Sequence, residues 1–228
     1  MPNYRGLNIP KFSFGNVDSD ALFGPLDQEV FDFYERNATR YKRALDIGAN
    51  IGVHSALMLR QGWEVLAFEP DPGHYGMLIN NAHPIGSNNA QADCMQAAVS
   101  DRAGRATFIR VNGNTTGSHL EGDKSPYGPT ERFEVDLVDC RPLFAWADFA
   151  KIDCEGHEAQ ILETVTSKRC EFMVEISNPN NAKRIYEHFN GLGMGMWSQK
   201  IGWEPVKTLE DVPNHHSQGH LFIGNNKP

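Results

Sequence analysis

Seven consecutive residues, Asp46-Ile47-Gly48-Ala49-Asn50-Ile51-Gly52, place a carboxylate, two glycines and an amide side chain in one short stretch. Glycine lets a backbone approach a ligand with no side chain in the way. A helix starting just beyond would offer free N–H groups and a partial positive charge, suited to a ligand carboxylate. Asp46 supplies the opposite sign, suited to an ammonium or to water ordered around it. A ligand with an amino acid end matches both. Glu69 lies 21 residues beyond Gly48, and a carboxylate there can accept hydrogen bonds from the two vicinal hydroxyls of a ribose. The glycine spacing is G-x-x-x-G, whereas nicotinamide-binding turns favour G-x-G-x-x-G and need glycine where this chain has Asn50. Asp46, Gly48, Asn50, Gly52 and Glu69 therefore read as a site for an adenosine ligand without pyrophosphate. S-adenosylmethionine fits that description.

A second group, Asp153, Glu155, His157 and Glu158, falls within six residues, with Lys151 just before it. Methyl transfer from a sulfonium is an in-line displacement that needs alignment and a base for the acceptor's proton. His157 is the expected base, since its unperturbed pKa of about 6.5 suits the task. Asp153, at a strand end, is expected to position the acceptor and to border the cofactor; an N-cap role is its structural alternative. Glu155 is a further candidate, or else charge complementing a helix start. Glu175 could face Asp153 across a pocket, and two facing carboxylates could bind a divalent metal. No tight ligand motif accompanies them, so no metal residue is assigned. Three features are set aside: Asn178-Pro179-Asn180 lacks the second proline and aromatic of amine-methylating enzymes, His215-His216 with His220 reads as a solvated loop, and Asn114-Thr115-Thr116 is a sequon without meaning in the cytoplasm.

These residues need a scaffold that brings strand ends together. Leu26 to about Arg40 has helical spacing. A β-α rhythm then begins: strand 43–47, glycine turn 48–52, helix 53–61, strand 64–68, a helix through Asn81 and a third strand over 91–99. It resumes with strand 148–153, helix 158–165, strand 171–176 and helix 182–189, and closes on an antiparallel pair, 194–199 with 220–223. Alternation of this kind implies a mostly parallel sheet covered on both faces, with ligands outside the strands' carboxyl ends. Between these halves, 106–111 and 132–138 look extended and flank 112–130, a Gly-, Asn-, Ser- and Thr-rich stretch expected to be a structureless active-site loop or lid. Residues 1–25 read as an irregular arm and 26–228 as one domain; 200–219 carries no clear signal.

At 228 residues the chain suits one α/β domain. A formal charge of −8 and no basic run argue against a nucleic acid partner. Cys94, Cys140, Cys154 and Cys170 form no C-x-x-C pair and read as buried thiols in a reducing compartment. No stretch approaches the ~20 apolar residues of a membrane span, and Met1 to Pro10 has no secretory pattern. A cytoplasmic protein with a small-molecule acceptor and no membrane partner is expected; oligomeric state is left open.

Three blocks, LDIGANIGVHS (45–55), VLAFEPDP (65–72) and KIDCEGHEAQIL (151–162), together with AVSDRAG (98–104), resemble the FkbM family of S-adenosylmethionine-dependent methyltransferases. The likeness runs from residue 26 to about 178. It implies a Rossmann-like class I fold, a seven-stranded sheet with a reversed final hairpin, and methyl transfer to a hydroxyl of a sugar or natural product. Family members commonly place a His shortly after the Glu corresponding to Glu175; here Ser177 and Asn178 follow instead. The alternatives are N-methylation of a small amine, a non-catalytic cofactor-binding protein, and a nicotinamide oxidoreductase, which the glycine spacing disfavours.

Overall fold

Strands buried on both faces send alternate side chains to opposite layers, and the central strands of this chain, near Arg43, Phe149, Glu171 and His220, follow that rule. The computed structural model describes residues 4–83 and 92–228. In chain order the elements are α1 (Pro25–Arg36), β1 (Arg43–Ile47), α2 (Val53–Arg60), β2 (Glu64–Phe68), α3 (Pro72–Ala82), β3 (Ala92–Met95), β4 (Ala98–Ser100), β5 (Gly104–Val111) and β6 (His119–Leu120). There follow β7 (Thr130–Asp139), α4 (Cys140–Trp146), β8 (Phe149–Ile152), α5 (Glu158–Leu162), β9 (Glu171–Glu175), α6 (Pro179–Leu192), β10 (Gly195–Ser198), β11 (Glu204–Pro205) and β12 (His220–Gly224).

The main sheet runs β11-β10-β12-β9-β8-β1-β2-β3. Strands β9, β8, β1, β2 and β3 are mutually parallel, while β12, β10 and β11 pair antiparallel. Ala44, Phe149, Met173 and Phe222 point into one core with Val30, Phe31, Ala56 and Leu78 of α1, α2 and α3. Leu45, Ala150, Phe172 and Leu221 point into another with Phe144, Ile161 and Phe189 of α4, α5 and α6. The α/β class and the closing antiparallel pair are as the sequence suggests.

Three expectations need correction. The sheet is mixed and eight-stranded rather than seven-stranded, because the two-residue β11 extends its edge. The third strand, read over 91–99, is two: Gln91 lies outside the described residues, β3 joins the main sheet, and β4 pairs with β7 in a second sheet, β4-β7-β5-β6. That sheet has its own small core of Ala98, Phe108, Leu120 and Val135. The stretch 112–130 is also partly built. It holds a 3-10 turn at Thr115–Gly117 and the strand β6, and it is tied to the N-terminal arm by Asn16 N–H to Gly113 O (2.8 Å) and Thr115 N–H to Phe14 O (2.8 Å). Helix α4 escaped the sequence reading because it is short and carries Pro142; it starts on the Asp139 side chain, which accepts from Arg141 N–H. Among the described residues, no helix is long and apolar enough to cross a membrane.

Candidate active site

The turn from β1 to α2 is shaped by residues in the left-handed region. Gly48 has φ +79°, and a Cβ there would collide with the Asp153 carbonyl oxygen. Only glycine lets the ends of β1 and β8 approach so closely. Asn50 has φ +53°; its Oδ1 accepts from Ile51 N–H (2.8 Å), and its own N–H donates to Glu69 Oε2 (2.8 Å). The other Glu69 oxygen accepts from Asp71 N–H (2.8 Å). Burial pushes the Glu69 carboxyl up to about 8, against the pull of these two amides.

Gly48, Asn50 and Glu69 line one cavity of about 640 Å³, which Lys151, Asp153 and Glu175 also line. Its size lies within the ~300–1,000 Å³ typical of small-ligand sites. A carboxylate at a strand end, beside a glycine turn opening a helix, is the donor and acceptor set that the adenosine and amino acid parts of S-adenosylmethionine require. The residues present fit that group. Gly52 and Asp46 lie behind this wall. At Gly52 (φ +85°) a Cβ would meet Leu78 Cδ1 at 2.7 Å, so that glycine serves the packing of α2 on α3. Asp46 is buried and accepts from Ser55 Oγ (2.5 Å), which anchors the strand end to α2. Of the four turn residues expected at the cofactor, Gly48 and Asn50 line the cavity, and Asp46 and Gly52 support them from outside its lining.

Strand register assembles the rest. Asp46 pairs with Lys151, Lys151 with Met173, and Glu175, two residues on, with His220. The two-residue period puts Asp46, Lys151, Glu175 and His220 on the face covered by α1 and α2. Lys151 is 2% exposed, with Nζ 3.3 Å from Asp153 Oδ2. Burial opposes its charge, but Asp153, Glu175, Asp46 and Asp27 together hold it protonated, above the ordinary lysine range. Asp27, from the first turn of α1, is pushed by burial to about 6, with Lys151 pulling the other way. Burial, then the Asp153 charge, also raises Glu175.

His157 reaches the cavity wall but is tied. Its Nδ1 is 3.0 Å from both Asp123 oxygens and its Nε2 2.9 Å from Ser100 Oγ, so neither nitrogen is free for an acceptor in this arrangement. The ring joins the 112–130 segment to β4 and α5. Glu155 (φ +55°) lines the cavity and pairs with Lys124; burial, then Asp153, raises its carboxyl. Glu158 is buried away from the cavity wall, accepting from Gly156 N–H (2.8 Å), Ser177 Oγ (3.1 Å) and Asn181 Nδ2 (2.6 Å). Among the described residues, no group of His, Cys, Asp or Glu is arranged to hold a metal.

Asn178 is the N-cap of α6, its side chain accepting from Asn181 N–H (2.9 Å). Of the histidines set aside as a solvated loop, His215 and His216 are exposed as expected, at the rim of the cavity, whereas His220 is a correction: it lines the cavity and is 2% exposed. Asp27 and His54 also line the wall without having been singled out by sequence, and Lys151 and His220 were noted in the sequence without a role. Lys151 did leave a signal, a lone cation in the apolar strand Phe149-Ala150-Lys151-Ile152.

The methyltransferase FkbM domain matches residues 46–193. That range holds the glycine turn, Glu69 and the 151–158 cluster, and leaves Asp27 and His220 outside. No curated protein matches the chain. Among solved structures, it is similar to the N-terminal domain of human METTL16 in complex with SAH (12% identity, 97% of this chain and 77% of that one, TM-score 0.48). It is also similar to magnesium protoporphyrin IX methyltransferase from Synechocystis with bound SAM (9%, 86% and 77%, 0.47). A third is precorrin-6y C5,15-methyltransferase from Geobacter metallireducens (14%, 93% and 96%, 0.43). Because the domain match runs from within β1 to just past α6, the chain belongs to the FkbM family of S-adenosylmethionine-dependent methyltransferases.

Proposed function

We propose that this methyltransferase acts on a hydroxyl of a small polar molecule such as a sugar or natural product. The supporting observation is that a single cavity holds both the cofactor turn and the row Lys151, Asp153 and Glu175, under the arm residues Ala21 and Leu22. S-adenosylmethionine supplies the electrophilic methyl group when bound. Gly48 and Asn50 border its amino acid end, Glu69 accepts from its ribose hydroxyls, and Asp46 steadies the turn through Ser55. Asp153, held by Lys151, orients the acceptor, while the arm and the 112–130 segment exclude water.

The net charge of −8 and the acidic wall favour a small acceptor over nucleic acid. A second reading, methylation of an amine, draws on the surplus of carboxylates on the wall, Asp27, Asp153, Glu155 and Glu175 against Lys124 and Lys151. Conversion of S-adenosylmethionine to S-adenosylhomocysteine, measured over matched hydroxyl and amine acceptors and over RNA, separates these. Turnover confined to amines or to RNA would remove the hydroxyl reading.

A further inference from the structure

His220 is buried at the start of β12, and its Nε2 has no hydrogen-bond partner although the residue lines the cavity. Buried polar atoms are almost always satisfied, so an unmet one at a ligand site calls for a partner from the ligand. The other ring nitrogen is committed. Gln199 Nε2 donates to Leu26 O (3.0 Å) and Glu29 Oε2 (3.0 Å), which fixes the orientation of its amide. Gln199 Oε1 therefore faces His220, accepting from the backbone N–H (2.9 Å) and standing 3.1 Å from Nδ1. An amide oxygen can only accept, so Nδ1 carries the proton and Nε2 of the neutral ring presents a lone pair. Gly219 makes room for this contact: at φ +82°, a Cβ there would collide with Gln199 Oε1.

Building on the hydroxyl-acceptor reading, we propose that His220 Nε2 takes the acceptor's proton, with Gln199 as the positioning residue that fixes the ring's tautomer. The acceptor O–H bond breaks as the N–H bond forms on Nε2. The oxygen's electron pair forms the bond to the methyl carbon, and the pair of the broken carbon–sulfur bond stays on sulfur. The groups facing the ring are Glu175 on β9, Lys151 on β8, His54 on α2 and Gln199 beside it. Glu175 Oε2, 3.5 Å from Nε2, is placed to offset the charge the ring acquires. Burial, then the Lys151 charge, keeps the resting ring neutral. His157, with both nitrogens occupied, has no such vacancy.

The tautomer is tested without an acceptor, by nitrogen-15 NMR of the full chain with labelled histidine, the His220 signals being those lost in His220→Gln. A protonated Nδ1 and a bare Nε2 are expected at pH 7; an Nε2–H tautomer or an imidazolium overturns the proposal. With any hydroxyl acceptor that the wild type converts, His220→Gln should lower kcat by about 10²–10⁴-fold and leave calorimetric S-adenosylmethionine affinity unchanged. Gln199→Glu sets a carboxylate beside Nδ1–H, so the acidic limb of the kcat profile should move to higher pH. Wild-type kcat in His220→Gln sinks the base assignment and leaves the hydroxyl reading standing. A wild type that converts no hydroxyl acceptor sinks both, while a bare Nε2 would still place His220 as an unmet acceptor in the site.

Discussion

Glu69 makes a sharp prediction because its environment in the free protein opposes the charge that the cofactor needs. Burial holds the carboxyl at about 8, so below that pH the free protein is mostly protonated there. Ribose hydroxyls donate to the ionised form and lower its pKa, so binding expels a proton. Affinity for S-adenosylmethionine should therefore rise with pH and level off above about 8. The slope approaches about tenfold, or 1.4 kcal/mol, per pH unit. Titration calorimetry between pH 5.5 and 7, below the range where an α-amino group of pKa about 7.7–8.0 loses its proton, gives the slope. Repetition in buffers of different ionisation enthalpy counts the protons released. Asp27, Glu155 and Glu175 also respond to the cofactor's positive charge, so the informative quantity is the difference between wild type and Glu69→Gln. The variant should lose about 1.5–3 kcal/mol per charge-assisted bond above pH 8, where the wild type is already ionised. Its deficit should shrink at pH 5.5, where the wild type must first ionise. Parallel slopes in the two proteins would refute both the ribose contact and the electrostatic reasoning.

Further outcomes follow from the same geometry. Gly48→Ala should cost at least the roughly 1–3 kcal/mol of a strained left-handed residue, plus the clash with Asp153, and should abolish measurable cofactor binding; denaturant unfolding and calorimetry read the two effects. His157→Gln should loosen the 112–130 segment through Asp123 and lower turnover with little loss of cofactor affinity; a variant inactive at every acceptor concentration yet normally ordered would return the base role to His157. Hydrogen exchange should divide that segment, slow over 113–120 where it bonds to the arm and fast over 122–129, the latter slowing when acceptor binds; uniform protection would end the lid idea. Chelator should leave activity unchanged, and restoration of a chelated enzyme by a divalent ion would require a metal between Asp153 and Glu175.

Local sequence determined much of this protein. The left-handed turn at Gly48 and Gly52 and the carboxylate closing β2 depend on neighbours within a few residues, so they were legible one segment at a time. The blocks of the FkbM pattern are local in the same sense, and they identified the cofactor. Tertiary structure decided the acceptor end. Asp27, Lys151, Glu175 and His220 come from α1, β8, β9 and β12, and only strand register and the crossing of α1 bring them to one face. His157 looked free because its partners, Ser100 and Asp123, are 57 and 34 residues away in the chain. His220 looked solvated because it follows a polar loop; it is buried because β12 lies inside the main sheet, between β10 and β9. A side chain's type is fixed by sequence, but its availability is set by which distant groups satisfy it, and in this protein that separates a tied histidine from an unmet one.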